Sequence, residues 1–306
     1  MLSAMSKLAV VATPDRTPLD LLVEDYLMSC RARGLKNKTI AMVYTPVLTR
    51  RFGPWARENG IERIEQVTQR VMDRWSASLD HLAPASRHSY TRTVNGFLAW
   101  ARKEGEAVQA KGQLPKLPQR VVRTLSRPEI QHVEDAAENE RDALIVRVLA
   151  DTGIRVGELC GLRVGDLNDK HPATLKVTGK GSKERQVPIT PALAGRIRRH
   201  IRRRPEDART DHVFLSRNRS KVGDYAPLQT SGVEQLVREL GRAAGTEHLH
   251  PHLFRHSYAT WCLSRNMNIE VLRRILGHED TTLISRVYGH LVTADLHAAA
   301  MAVLAE

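Results

Sequence analysis

The chain has few cysteines: Cys30, Cys160 and Cys262 are the only three in 306 residues, far apart and odd in number. That argues against a disulfide framework and against a four-ligand zinc site, and fits a reducing compartment. No apolar run approaches the ~20 residues that a membrane-spanning helix needs. The short apolar stretch LAVVA at residues 8–12 is too brief for a signal-peptide core. Internal repeats are missing as well. These absences lead to the expectation of a soluble cytoplasmic protein with no membrane partner. What the chain does have is positive charge, a formal +13 with a pI near 10.0. Such an excess favours a polyanionic partner, either nucleic acid or an anionic membrane face.

The length suits about two domains. Residues 1–16 lack periodicity and read as a flexible leader. A helix starts at Thr17, the N-cap, with Pro18 at the first position; Leu19, Leu22, Val23, Tyr26 and Leu27 share one face, and Gly34 stops it. Helical patterns follow around 37–51, 66–80 and 84–103. In the last, Tyr90, Val94, Phe97, Leu98 and Ala101 form a buried stripe, and Arg87, His88, Arg92 and Arg102 lie off it. Residues 17–105 thus form a small helical domain without a catalytic motif. Residues 106–122, EAVQAKGQLPKLPQRVV, mix Gly, Pro and basic residues without period and read as a linker. A second domain spans 123–306. It opens on a capping box, Ser126 with Glu129, and is mostly helical with one interruption: TLKVTGKGSKERQVPI (174–189) alternates around a Gly-rich turn as a β-hairpin. The net charges of the three segments are +6, +2 and +5. Two basic domains on a basic tether suggest a C-shaped clamp closing round a duplex.

Several constellations could carry chemistry. In HLHPHLFRHSYATWCL (248–263), four histidines and Arg255 fall within nine residues. His252 and His256 have the four-residue spacing of two zinc ligands on a helix, yet the glutamate of a zinc protease is missing between them and no third ligand is evident. TGKGSK (178–183) is rich in glycine and lysine but lacks the earlier glycine of a phosphate-binding loop, so its glycines suit the hairpin turn, with Lys180 at the tip. In ADTGIRVGELCGLRVGDL (150–167), Arg155 opens a helix with Glu158 three residues on. It reads either as a salt bridge to Glu158 or as a phosphate clamp at a helix N-terminus. Tyr258, one turn after Arg255, reads as a packed residue. Tyr288 lies between Arg286 and His290, and taken alone it too would be assigned to a core.

In order, TGIRVGELCGL, GKGSKERQVPI, HPHLFRHSYAT, LGHEDTT and RVYGH make a series that resembles the tyrosine recombinases, the family of phage integrases and Xer recombinases. The motifs cover about 123–292, and 17–105 is more loosely similar to the family's helical core-binding, DNA-contacting domain. The resemblance implies a mainly α fold with a small β-hairpin or sheet. It implies catalytic roles for Arg155, Lys180, His252, Arg255, His278 and Tyr288, with Tyr288 the nucleophile. Lys183, Arg87 and Arg92 are DNA-contact candidates. The implied activity is site-specific recombination of double-stranded DNA through a 3′-phosphotyrosine, in a homotetramer, without metal or other cofactor, in the cytoplasm at the nucleoid. Two alternatives remain: a type IB topoisomerase-like relaxing enzyme with the same chemistry, and a DNA-binding protein with a vestigial site. The 16-residue leader leaves no room for an arm-type DNA-binding domain, which points to a simple or Xer-like recombinase. A C-terminal apolar stripe of Val292, Leu296, Ala299, Ala300 and Val303 packs either on its own domain or, as the resemblance implies, on a neighbouring subunit.

Overall fold

The computed structural model describes residues 17–117, 123–219 and 223–277. Contacts divide the chain into two compact units, with the boundary between Pro118 and Gln119. The expectations for the leader, for His278 and Tyr288, and for the C-terminal stripe lie outside the described residues.

In the first unit, α1 (Pro18–Ala32) starts as its sequence dictates. The Thr17 hydroxyl accepts from the Asp20 amide, and the Asp20 carboxylate accepts from the Thr17 amide at 3.1 Å and from Arg57 at 2.6 Å. The helix α2 covers 37–58, longer than its apolar pattern shows. Two of its stretches, Ile40–Tyr44 and Leu48–Phe52, are wound as wider π-type turns. Each lies just ahead of a proline, Pro46 or Pro54, whose ring and missing N–H displace the regular bonds of the preceding turn. The helices α3 (Gln69–Ser78) and α4 (Pro84–Lys103) complete the bundle. Phe52, Trp55 and Trp75 meet edge-on or stacked at its centre, with Phe52 and Trp75 5.3 Å apart at 82°. Tyr90 is only partly buried, against the expected stripe.

The segment expected as linker from residue 106 is a correction. It has no regular structure, but Val108 and Ala110 are buried in the first unit's core. Asn95 exchanges two hydrogen bonds with the Gly112 backbone, and Arg102 donates to the Val108 carbonyl at 2.8 Å. Arg102, off the apolar stripe, is therefore a brace that folds this strap back on α4.

The second unit is mainly α. Ser126 caps α5 (Arg127–Asp135) through the expected box with Glu129. The helices α6 (Glu140–Thr152) and α7 (Val156–Gly161) follow, then strands β1 (Leu167–Asn168), β2 (Thr174–Thr178) and β3 (Glu184–Pro188). The hairpin pairs Leu175 with Val187 and Val177 with Arg185, and β1 adds an antiparallel edge to it. The order β1-β2-β3 is thus one strand more than the hairpin read from the sequence. After α8 (Pro191–Arg202) comes a second unforeseen interruption, the antiparallel ribbon β4 (Leu215–Arg219) and β5 (Tyr225–Pro227). Both additions are strands of two to five residues, too short to show an alternating pattern. The helices α9 (Thr230–Ala243), α10 (Pro251–Leu263) and α11 (Ile269–Leu276) end the described chain. The helix α6, whose Leu144, Ile145, Val146, Val148 and Leu149 are all buried, lies central, packed by α5, α8 and α10, while α11 packs on β3 and α7 on β2.

Candidate active site

The end of α11 is where the site assembles. The last carbonyls of a helix have no partner within it and carry the negative end of its dipole, roughly half a charge. Here three arginines from three other elements take them in succession. Arg185 on β3 donates through Nε to the Ile275 carbonyl at 2.6 Å. Arg255 on α10 donates through Nη2 to that of Leu276 at 2.7 Å, and through Nη1 to that of Gly153 at 2.7 Å. Arg155, the N-cap of α7, reaches the Gly277 carbonyl at 3.3 Å. Gly277 closes the helix in the left-handed conformation, φ +65°, and the next residue is His278.

One carboxylate belongs to this group. Glu158 Oε1 accepts from Arg155 Nη1 and Arg185 Nη1, both at 2.9 Å; Oε2 accepts from the Arg155 amide and from Arg185 Nη2, both at 2.8 Å. Burial would raise its pKa, but the bonds from Arg185 and Arg155 outweigh it and hold the carboxyl below its ordinary value. Both readings of Arg155 are therefore compatible. The salt bridge exists, and the side chain still keeps 37% of its surface in solvent. Arg255 is buried, 6% exposed, and a buried guanidinium requires the carbonyl partners it has.

His252 lies one turn before Arg255 on α10, whose first position is Pro251. Its pKa is lowered by the crowding around it, then by the positive charges of Arg255, His250 and Arg155. The His256 pKa is lowered likewise by burial and by His252, His250 and Arg255. Among the described residues no three His, Cys, Asp or Glu side chains are arranged to hold a metal ion. Tyr258 is packed, as read: its ring rests on Gly153, and burial pushes its phenol well above the usual range.

Of the six expected catalytic residues the structure brings together Arg155, His252 and Arg255. Lys180 is placed by its backbone alone, opening the short turn Lys180–Ser182 between β2 and β3, where Gly181 takes φ +73°. Lys183 closes that turn, its carbonyl accepting from the Gly179 amide at 2.8 Å. Sequence reasoning missed Arg185. No local signal marks it, because its partners Glu158 and Ile275 are 27 and 90 residues away.

In the first unit, Arg87 is bound to Asp80 at 2.6 Å, whereas Arg92 is exposed on the same helix with no ion pair among the described residues. A groove of about 480 Å³ lies close by, lined by Met42, Val43, Arg50, Arg51, Ser89 and Tyr90. No helix among the described residues is long and apolar enough to cross a membrane.

Comparison with known proteins shows the family and the fold. The sequence profile of the phage integrase family matches residues 123–294. A tyrosine recombinase XerA of Pyrococcus horikoshii is 31% identical over 290 residues, covering 91% of this chain and 92% of the relative. Among solved structures, the fold is similar to that of XerH site-specific recombinase bound to palindromic difH substrate in a post-cleavage complex. There the TM-score is 0.71 at 20% identity, over 91% of this chain and 83% of that one. It is also similar to a lambda integrase tetramer bound to a Holliday junction, with TM-score 0.64 at 19% identity over 86% and 78%. The chain belongs to the phage integrase family, the site-specific tyrosine recombinases.

Proposed function

We propose that the chain cuts and rejoins double-stranded DNA through a 3′-phosphotyrosine on Tyr288, in a tetramer that synapses two duplexes. The observation that carries this reading is the convergence of Arg155 and Arg255 on the end of α11, one residue before His278. A phosphodiester repels nucleophiles, and attack on it gathers further charge on phosphorus. Two forked guanidinium groups answer that charge through the non-bridging oxygens. His252, biased toward its neutral form, accepts or donates a hydrogen bond at the same phosphate. The Tyr288 phenol, with a reference pKa of about 10, loses its proton as it attacks. The 5′-oxygen leaves as a hydroxyl with a proton from Lys180. The phosphotyrosine keeps the bond energy, so a second 5′-hydroxyl reverses the step without ATP. Guanidinium and ammonium groups do the electrostatic work in this scheme, and no cofactor enters it. Around Arg92, Arg50, Arg51 and Lys183, the backbone of the duplex supplies the anionic partner that the +13 charge requires.

The test is capture of DNA from a random-sequence library of nicked duplexes, in which cleavage releases a short fragment and traps the adduct. The parent forms a covalent adduct on a defined sequence, and Tyr288→Phe forms none. Adducts that survive in Tyr288→Phe refute the reading. Placing the captured site twice on a plasmid separates recombination from simple relaxation, because recombinant products require synapsis. The resemblance to an assembled tetramer and the XerA likeness support the first outcome.

A further inference from the structure

We propose that Arg185 is a positioning residue for strand cleavage, which takes up the charge of Glu158 so that Arg155 stays available to a phosphate. The inference rests on the recombinase reading above and extends it to a residue without a role so far.

Glu158 is the one carboxylate bonded to the converging arginines among the described residues, and its side chain is only 5% exposed. A buried carboxylate requires a cationic partner. With Arg155 alone in that place, both oxygens would draw its guanidinium into a forked pair and cancel its charge. Arg185 instead presents the fork, Nη1 to Oε1 and Nη2 to Oε2, and leaves Arg155 one side-chain bond to the same carboxylate. The burial of the two arginines follows this division. Arg185 is 13% exposed and Arg155 37%, so the enclosed guanidinium neutralises and the open one is left for a ligand.

The third nitrogen of Arg185 gives the residue its reach. Its Nε holds the Ile275 carbonyl, which ties β3, and with it the turn that Lys180 opens, to the helix end where Arg155 and Arg255 converge. Gly277 leaves room for this. A Cβ there would lie 3.0–3.1 Å from three guanidinium atoms of Arg185. One side chain thus sets the charge of the site and the distance of the hairpin from it.

A plain brace and a charge-setting residue predict different double variants. On a captured suicide substrate at saturating protein, Arg185→Gln slows adduct formation about 10²-fold, the size of loss typical for a removed transition-state donor. Glu158→Gln removes the charge itself and supplies the reference rate for the double variant. In Glu158→Gln with Arg185→Gln the charge to be neutralised is gone, and the rate returns to within about tenfold of Glu158→Gln alone. Arg185→Lys keeps the charge without the fork and lies between parent and Arg185→Gln. Melting midpoints and gel-shift affinities of each variant separate loss of fold or binding from loss of rate. A double variant as slow as Arg185→Gln overturns the proposal, as does Arg185→Gln at the parent rate. Should Arg185→Gln fail to fold, the comparison of the double variant with Glu158→Gln decides, with a 10²-fold gap overturning it. A parent that captures no DNA refutes the recombinase reading itself, which is a different result from any of these.

Discussion

Gly153 ends α6 in the left-handed conformation, φ +61°, and its carbonyl is one of the two backbone acceptors of Arg255. Replacement by alanine meets two costs. An L side chain in that conformation loses about 1 kcal/mol relative to glycine. The new methyl would also lie 2.6 Å from Tyr258 Cδ1, 3.1 Å from its Cγ and 3.0 Å from Leu276 Cδ2. The tyrosine is buried and Leu276 is part of the core, so neither gives way freely, and overpacking of this kind costs about 1–3 kcal/mol. Gly153→Ala should therefore lose about 2–4 kcal/mol. At about 2–4 °C per kcal/mol for a domain of this size, the melting midpoint of the second unit falls by roughly 4–16 °C. Gly245→Ala is the control, because Gly245 has φ +68° but nothing within 4 Å of a built Cβ, so it carries the backbone cost alone. Calorimetry of both variants isolates the steric part. Since the clash pushes on Leu276, whose carbonyl Arg255 holds, Gly153→Ala should also lower adduct formation at temperatures where it remains folded. Equal melting midpoints for the two variants would refute the packing argument.

Two further outcomes follow from the site's surroundings. The Ser257 hydroxyl accepts from the Leu125 amide and donates to the Leu253 carbonyl, both at 2.7 Å and both buried, so Ser257→Ala strands a buried N–H and should cost about 1–3 kcal/mol in urea unfolding. An unchanged urea midpoint would contradict it. His252 and His256 have folded pKa values below the unfolded value of about 6.5, so the unfolded chain binds more protons as the pH falls through that value. Their effect on stability is absent above it and becomes unfavourable below it. Urea midpoints between about pH 5 and about pH 7.5 should fall on acidification, and His256→Gln should flatten that slope; a slope unaltered in His256→Gln would count against the shift.

What could be read from the sequence was local. Thr17 with Pro18 and Ser126 with Glu129 announce helix starts within four residues, and the structure has both. The hairpin was legible because its strands alternate and its turn is rich in glycine. The helix with His252 and Arg255 was legible from Pro251 onward. What could not be read depends on partners far along the chain. Nothing in EAVQAKG shows that Val108 and Ala110 are buried, because the groups that receive them, Asn95 and Arg102 among others, lie on a preceding helix face that looks polar. The strand β1 is two residues long and exists only because β2 is beside it. Arg185 looks like one more cation in a basic hairpin until Glu158 and Ile275 are placed against it.

The choice of partners for the three arginines bears on how a cationic pocket can be both ordered and active. Carboxylates would fix guanidinium groups firmly, but each would cancel one unit of the charge that an anion needs. Carbonyls at a helix end accept the same hydrogen bonds while carrying about half a charge between them. Here Arg155 and Arg185 share one glutamate, and the three arginines otherwise lean on the carbonyls of Gly153, Ile275, Leu276 and Gly277. The cluster is held by at least five of these bonds and still keeps most of its positive charge. Such an arrangement is costly without an anion, since like charges lie close together in a partly buried site. In the reaction proposed above it is relieved when a phosphate arrives, and most of all when that phosphate gains charge during attack. The stability lost in holding the arginines apart from carboxylates is thus returned preferentially in the transition state, the condition under which binding energy becomes rate.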